Sequence, residues 1–290
     1  MNRISETDLI LNANGSVYHL NLLPGDVAST IITVGDPERV SAISKYFDRV
    51  EIRKSKREFI THTGYLGSKH ITVLSTGIGT GNIDIVLNEL DALVNIDLDT
   101  RRVKEELQKL TIIRIGTSGA IQADIPVDSL LVSSAAVGFE TMMNYYEHSN
   151  SVNGQQFLDD LIAALPQYYT LHPYFSEPDD HLLRRMGKGL PQGITLTAPG
   201  FYAPQGRQIR AKNNFPELLP VLQKFSYRDQ RMTNIEMETA GIYGMASALG
   251  HRAISFNVIL ANRVTQNFST QPQHAVDHNI KLILEKLIGT

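Results

Sequence analysis

An α/β fold, with strands and helices interleaved around a largely parallel or mixed sheet, is what this sequence predicts. Two observations carry that prediction. Short apolar or β-branched runs of strand length end in polar or glycine turns, and between and after them apolar residues recur at spacings of three and four. A third observation says where function should sit: in such sheets ligands bind at the carboxyl ends of the strands, where glycine turns follow.

The runs read as strands at Thr30–Val34, Ile71–Leu74, Thr111–Ile115, Leu130–Ser133, Ile194–Leu196 and Ala253–Leu260. Ile83, Val86, Leu87, Leu90, Leu93 and Val94 form the apolar stripe of an amphipathic helix. Further helices are expected over Met237–Leu249 and about His274–Leu287, the latter with Ile280, Leu282, Ile283 and Leu287 facing inward. Residues 142–191 are less regular and read as an insertion carrying one or two helices. No repeat, low-complexity tract or Pro/Gly/Ser-rich linker divides the chain, so residues 1–290 are expected to form one domain.

The composition, 42% hydrophobic and 20% charged, is that of an ordinary soluble globular protein. With 27 Lys+Arg against 30 Asp+Glu the formal charge is −3, which offers no field for nucleic acid or an anionic membrane; neither is expected as a partner. The absence of cysteine rules out disulfides, a thiolate nucleophile and a Cys-based zinc site, and suits a reducing cytoplasm. The opening "MNRISETDLILNANGS" lacks the apolar core of a signal peptide, and no stretch approaches the roughly 18 apolar residues of a membrane span. A cytoplasmic location is expected.

Within "LTIIRIGTSGAIQ", residues 110–122, Arg114 interrupts an apolar strand. An unpartnered buried guanidinium costs several kcal/mol, so an anion must meet it. Gly116, Thr117, Ser118 and Gly119 read as a following turn whose amides and hydroxyls suit a tetrahedral oxyanion; a buried glutamate is the alternative partner. "ITVGDPERV" places Gly35, Asp36 and Pro37 between a strand and a helix, with Arg39 one turn in. That is either an oxyanion cradle at a helix N-terminus or a plain Asp36 cap followed by a solvated Arg39.

"STGIGTGN", Ser75 to Asn82, is not the dinucleotide fingerprint, because Asn82 stands where the third glycine belongs. In "NIEMETAG" Glu236 and Glu238 fall at a helix start, where Glu236 reads as a cap and Glu238 as an acceptor for two adjacent sugar hydroxyls. In "FYAPQGRQ" Gln205 and Arg207 combine donors and an acceptor that match the edge of a uracil ring. His274 and His278 fall one helical turn apart, but Ala275 occupies the place of the zincin glutamate, so the pair reads as helix surface. There is no G-x-S-x-G elbow.

Together "GDPERV", "SKREF", "STGIG", "RIGTSGAIQ", "FYAPQGR", "NIEMET" and "ANR", in this order, resemble the nucleoside phosphorylase family and within it the uridine phosphorylases. The resemblance runs from about Val17 to Leu287 and is weakest over about 144–191. It implies a three-layer fold with a central mixed, partly barrel-like sheet flanked by helices. It implies phosphate binding by Gly35, Arg39, Arg114 and Thr117, with Arg57 reaching in from a neighbouring subunit. His19 of "YHL" would close over the ribose from the partner chain, with Met237 and Glu238 on the sugar. Phe201, Gln205 and Arg207 would hold the base. Glu58 matches a position that in some relatives helps bind a monovalent cation such as potassium between subunits.

The implied reaction is reversible phosphorolysis of uridine, with deoxyuridine or thymidine also in range, to uracil and ribose 1-phosphate. Phosphate is then a co-substrate, no cofactor or general acid is needed, Arg114, Arg207 and Gln205 are the catalytic groups, and the protein is a homo-oligomer with a shared site. Purine-specific relatives often place an acid near the end of the late strand; "VILANRVTQ" offers Asn262 and Arg263 instead. Ala203-Pro204 before Gln205, and an extra residue before Asn262, depart from the family pattern. A purine nucleoside phosphorylase, a water-using nucleosidase and a nucleoside-binding module without turnover are the rival readings. If Arg114 is held for ligand alone, Arg114→Ala abolishes turnover while the fold still forms.

Overall fold

The computed structural model describes residues 3–289. Strand β1 (Thr30–Val34) leads to helix α1 (Pro37–Ser44), which Asp36 caps by accepting from the Glu38 amide while Pro37 takes the first helical turn. There follow β2 (Arg49–Lys56), β3 (Phe59–Leu66), β4 (Lys69–Ser75) and α2 (Thr80–Asn95), then a small ribbon of β5 (Ile96–Asp97) and β6 (Arg102–Val103). Next come β7 (Thr111–Ala120), β8 (Leu130–Gly138), α3 (Val152–Ala164), β9 (Tyr174–Ser176), α4 (Asp180–Met186) and β10 (Gln192–Thr197). The chain finishes with α5 (Leu218–Lys224), β11 (Ser226–Tyr227), β12 (Gln230–Glu236), α6 (Thr239–Ala248), β13 (Arg252–Asn262), β14 (Asn267–Phe268) and α7 (Pro272–Ile288).

The main sheet runs β11-β12-β10-β8-β13-β7-β1-β4-β3-β2 and is mixed. β12 also pairs with β7, antiparallel, through Asn234 opposite Ala120 and Ile235 opposite Gly119. That pairing closes β12, β10, β8, β13 and β7 into a five-stranded barrel, from which β1, β4, β3 and β2 extend as open sheet. Closure removes two edges that would otherwise need protection.

Helices cover both faces, which the period-two alternation of the strands demands. Ile31 and Ile112 turn toward Val86 and Leu90 of α2 and Tyr243 of α6. Their neighbours Ile32 and Ile113 turn the other way, toward Val40 of α1, Leu182 of α4 and Ile280 and Ile283 of α7. A third cluster packs Phe157 and Leu161 of α3 and Leu222 of α5 against Ile194, Leu196 and Ile235 of the barrel. No helix among the described residues is long and apolar enough to cross a membrane.

Each of the six expected strands is present, with three differences of detail. Gly116 to Gly119 do not form a turn: β7 continues to Ala120, because Gly116 makes room for Arg114 and Gly119 lies at the barrel closure. The helix expected from Met237 begins at Thr239, since Glu236 still belongs to β12 and Glu238 occupies the cap position. On α7 Leu284 is buried and Leu282 only half-buried, at the flank of the stripe. The extra residue before Asn262 is absorbed as a β-bulge, where the β13–β7 register slips between Ile259 and Ala261. The irregular 142–191 segment carries two helices, α3 and α4.

Candidate active site

A cavity of about 710 Å³ opens at the carboxyl ends of β1 and β4 and beside the barrel. It gathers Gly35, Arg39, Glu58, Arg114, Thr117, Phe201, Gln205, Arg207, Met237 and Glu238, ten of the twelve positions the sequence singles out. His19 and Arg57 are not in it.

At the inner end Arg114 is 5% exposed and meets two carboxylates. Its Nη2 donates to Glu238 Oε2 at 2.6 Å and lies 2.8 Å from Glu236 Oε2, while Nη1 donates to Asn257 Oδ1 at 3.0 Å. The glutamate alternative weighed for Arg114 is therefore real, and it involves residues of the site itself. Burial pulls the guanidinium down, but Glu236 and Glu238 together hold it above its ordinary value. A Cβ at Gly116 would fall inside this guanidinium, so the R-x-G spacing is what lets Arg114 lie along the strand.

The two glutamates are held differently. Glu236 accepts from the backbone amides of Glu238 and Thr239, at 3.0 and 2.9 Å, and from the Thr197 hydroxyl at 2.6 Å. It caps α6, as its sequence position implies, and Thr197 in turn accepts from the Ala240 amide at 2.9 Å. Among the described residues Glu238 has only Arg114 and the Gly79 amide, at 2.8 Å, as hydrogen-bond partners. Burial raises the Glu238 carboxyl above its ordinary range; Arg114 opposes this and Glu236 adds to it.

Beside them Arg39 lies half-buried in the cavity wall with no side-chain partner among the described residues. Burial lowers its pKa, Asp36 works against that shift, and Arg114 adds to it. Asp36 is indeed a helix cap, and Arg39 lines the cavity beside the Arg114 guanidinium rather than standing in open solvent. Thr117 and Gly35 complete this corner.

At the outer end Arg207 Nη1 donates to Gln205 Oε1 at 2.6 Å and to the Phe201 carbonyl at 2.7 Å, and its guanidinium lies 3.8 Å from the Phe201 ring centre. Gly206, at φ +70°, turns the loop so that both side chains face one way. Burial and Arg263 lower Arg207 to about 10. Arg263 holds the loop from behind by donating to the Gln205 carbonyl at 2.9 Å. Asn262 faces backbone: its amide donates to the Gln122 and Ile125 carbonyls and its oxygen accepts from Val264 and Thr265. Leu260 and Ala261, at the β13 bulge, and Phe268 supply apolar walls that sequence reading missed.

A polar chain leads from Arg114 around the barrel and back to β7. Asn257 Nδ2 donates to Ser133 Oγ at 2.9 Å, Ser133 and Thr195 share a hydrogen bond at 2.6 Å, Thr195 donates to Asn234 Oδ1 at 2.9 Å, and Asn234 Nδ2 donates to Ser118 Oγ at 3.0 Å. These residues come from β7, β13, β8, β10, β12 and β7 again, which is the strand order around the barrel.

Arg57 and Glu58 form the tip of the β2–β3 hairpin. Arg57 has φ +55°, a left-handed backbone uncommon outside glycine, and the reversal sends the two side chains apart. Glu58 enters the cavity and accepts from Asn82 Nδ2 at 3.2 Å. Arg57 instead lies 5.9 Å from the Tyr18 ring, which contacts the His19 ring edge-on with centres 4.9 Å apart. Arg57 and His19 thus share one outer patch. His19 is anchored there by buried Glu89, which accepts from its Nδ1 at 2.6 Å and from the His19 and Leu20 amides. His274 and His278 are both exposed on α7.

A sequence profile of the phosphorylase superfamily matches residues 29–288, nearly the whole chain and every residue lining the cavity. The chain belongs to the phosphorylase superfamily. Among curated relatives in this superfamily, a uridine phosphorylase of Thermococcus kodakarensis is 33% identical over 88% of this chain and 80% of its own length. A uridine phosphorylase of Haemophilus influenzae is 29% identical over 88% and 90%. A DeoD-type purine nucleoside phosphorylase of Shewanella denitrificans is 27% identical over 92% and 95%. Among solved structures, a Trypanosoma brucei nucleoside phosphorylase, described as showing uridine phosphorylase activity, superposes with a TM-score of 0.87. It is 28% identical, over 98% of this chain and 100% of that one. The fold of the superfamily is therefore the fold described above, with its mixed and partly barrel-like sheet between helical layers.

Proposed function

We propose that this chain is a uridine phosphorylase, catalysing the reversible phosphorolysis of uridine, and of deoxyuridine or thymidine, to the free base and the pentose 1-phosphate. The observation that carries this reading is that one cavity gathers three chemistries. Arg39 and Arg114 line it with the acceptor Glu238 bonded to Arg114, and the Gln205–Arg207 pair lines it too. A phosphate, a sugar diol and a uracil edge want those three sets of groups.

In this reaction a phosphate oxygen forms a bond to C1′ of the sugar as the bond from C1′ to the base nitrogen breaks. The bonding electrons leave with uracil and spread over its carbonyl oxygens. Arg207 donates to the growing negative charge, while Gln205, its oxygen held by Arg207, offers its amide protons to one carbonyl and a lone pair to the ring N–H. Arg39, Arg114, Thr117 and the Gly35 turn hold phosphate for attack, and Met237 and Glu238 hold the sugar. No general acid takes part, since the uracil anion collects its proton from solvent. Phosphate is a co-substrate and no organic cofactor enters the reaction.

The site is shared in a homo-oligomer: Arg57 and His19, clustered outside their own cavity, serve that of a neighbouring copy. Charge supports this, because Arg39 and Arg114 are balanced by Glu236 and Glu238 within one chain, and a phosphate dianion needs a further cation. Glu58 keeps one carboxylate oxygen free of Asn82 and is the group we assign to a monovalent cation such as potassium, with oxygens of a second copy completing the shell. The chain works in the cytoplasm, in pyrimidine salvage, on nucleoside and phosphate alone, as one domain with the 142–191 segment inserted.

Incubating the protein with uridine, thymidine and inosine, with and without phosphate, and following free base tests the assignment. Uracil release that requires phosphate is the expected result. Inosine cleavage with uridine untouched makes it a purine enzyme, release without phosphate makes it a nucleosidase, and no release makes it a binding module.

A further inference from the structure

Two carboxylates contact one guanidinium nitrogen, and only one of them is free to leave. Glu236 is tied by the α6 amides and the Thr197 hydroxyl and cannot move without uncapping the helix. Among the described residues Glu238 is held by hydrogen bonds from Arg114 and the Gly79 amide alone. Nη2 of Arg114 donates to Glu238 and lies 2.8 Å from Glu236 Oε2, and Nη1 is engaged with Asn257 and Ser255. A tetrahedral anion arriving at Arg114 meets Nη2 already bonded to Glu238 and Nη1 to Asn257, so the two-point grip that a guanidinium gives an oxyanion through these nitrogens is contested.

We propose that Glu238 is the resting occupant of the phosphate corner, and that phosphate displaces it from Arg114 and thereby releases its carboxylate for the ribose diol. This rests on the uridine phosphorylase reading and adds an order to it. With Arg114 on one oxygen and the Gly79 amide on the other, Glu238 has one lone pair left on each, and turning from Arg114 frees a whole oxygen for the sugar diol. Phosphate takes over the charge on Arg114, Glu238 turns to the sugar, and Glu236 keeps the guanidinium in place throughout. Phosphate and nucleoside therefore each improve the site for the other, by the same factor in both directions.

Calorimetric titration of the full-length protein with uridine, alone and with saturating sulfate as an unreactive tetrahedral dianion, reads this coupling. The expected result is that sulfate tightens uridine binding at least threefold and uridine tightens sulfate binding equally. Tightening below threefold overturns the proposal. In a second arm without nucleoside, Glu238→Gln binds sulfate more tightly than wild type, because an amide is a weaker rival for Arg114; equal or weaker binding overturns it. Phosphate-dependent uridine cleavage is assayed on the same wild-type sample. Cleavage without coupling removes the exchange and leaves the enzyme assignment standing. No cleavage removes the assignment, while the sulfate arm still decides whether Glu238 occupies the anion corner.

Discussion

Arg114 and Gly116 lie on one face of β7, and the guanidinium of the first fills the space that a side chain on the second would need. The glycine therefore shapes the anion corner without touching a ligand. Gly116→Ala is expected to push the guanidinium aside and lower kcat/KM for phosphate by about 100-fold, the scale of a 1 Å misplacement, while circular dichroism stays unchanged. Steady-state kinetics at varied phosphate checks this.

Arg114→Ala is expected to do more than abolish turnover. It leaves Glu236 and Glu238, 4% and 6% exposed, facing each other without a cation. The sequence reading has the fold still forming, and the unpaired carboxylates add to it an expected loss of about 3–5 kcal/mol near neutral pH. Urea unfolding at pH 7 and pH 5 measures it. The loss shrinks at the lower pH as Glu238, whose carboxyl already sits high, takes up a proton.

Glu238→Gln is expected to trade activity for stability. The folded carboxyl sits above its unfolded value, so the native state binds more protons than the unfolded chain between the two values, and stability falls as pH rises through that window. Above it the glutamine variant is more stable than wild type by about 1 kcal/mol, since Glu236 still pairs with Arg114. Below the ordinary carboxylate range the advantage vanishes. Thermal melts at pH 4 and pH 7.5 compare the two.

Arg207→Ala is expected to lower kcat on uridine by about 10²–10³-fold, the value of one donor aimed at developing negative charge, with sulfate affinity unchanged. Kinetics and calorimetry on one preparation separate the two effects.

Arg39→Ala and Arg57→Ala are each expected to be nearly inactive, and their mixture after unfolding and reassembly to regain activity. In a symmetric dimer, half the reassembled molecules are mixed and carry one intact site of two, giving about a quarter of wild-type activity. No recovery on mixing would place Arg57 outside the shared site.

The layered α/β plan was legible because β1, β4 and the first half of β7 are apolar runs between amphipathic helices. The β2–β3 hairpin was not: β2, R-V-E-I-R-K-S-K, has no fully buried residue and no apolar run, and β3 carries Thr61, His62 and Thr63 inside. β12 escaped for a related reason, since Thr233, Asn234 and Glu236 face a polar barrel interior. Motif order brought ten site residues together on the page as the fold does in space. The second partner of Arg114 was hidden, because Glu236 reads locally as a helix cap and only barrel closure carries β12 to β7. The walls at Leu260, Ala261 and Phe268 were hidden too, since a bulge has no composition of its own.

The hydrogen-bonded loop around the barrel has a direction. Arg114 can only donate, so Asn257 must turn its oxygen toward it and its amide toward Ser133. Thr195 gives its proton to Asn234 and so must receive one from Ser133, and Asn234 passes the same sense on to Ser118. Every proton points the same way round the five strands, and the last one, on Ser118, is left facing the cavity. A single fixed charge on one wall thus sets the polarity of a hydroxyl reached by passing once around the barrel, and a one-residue slip of any strand would break the circuit on both sides of it.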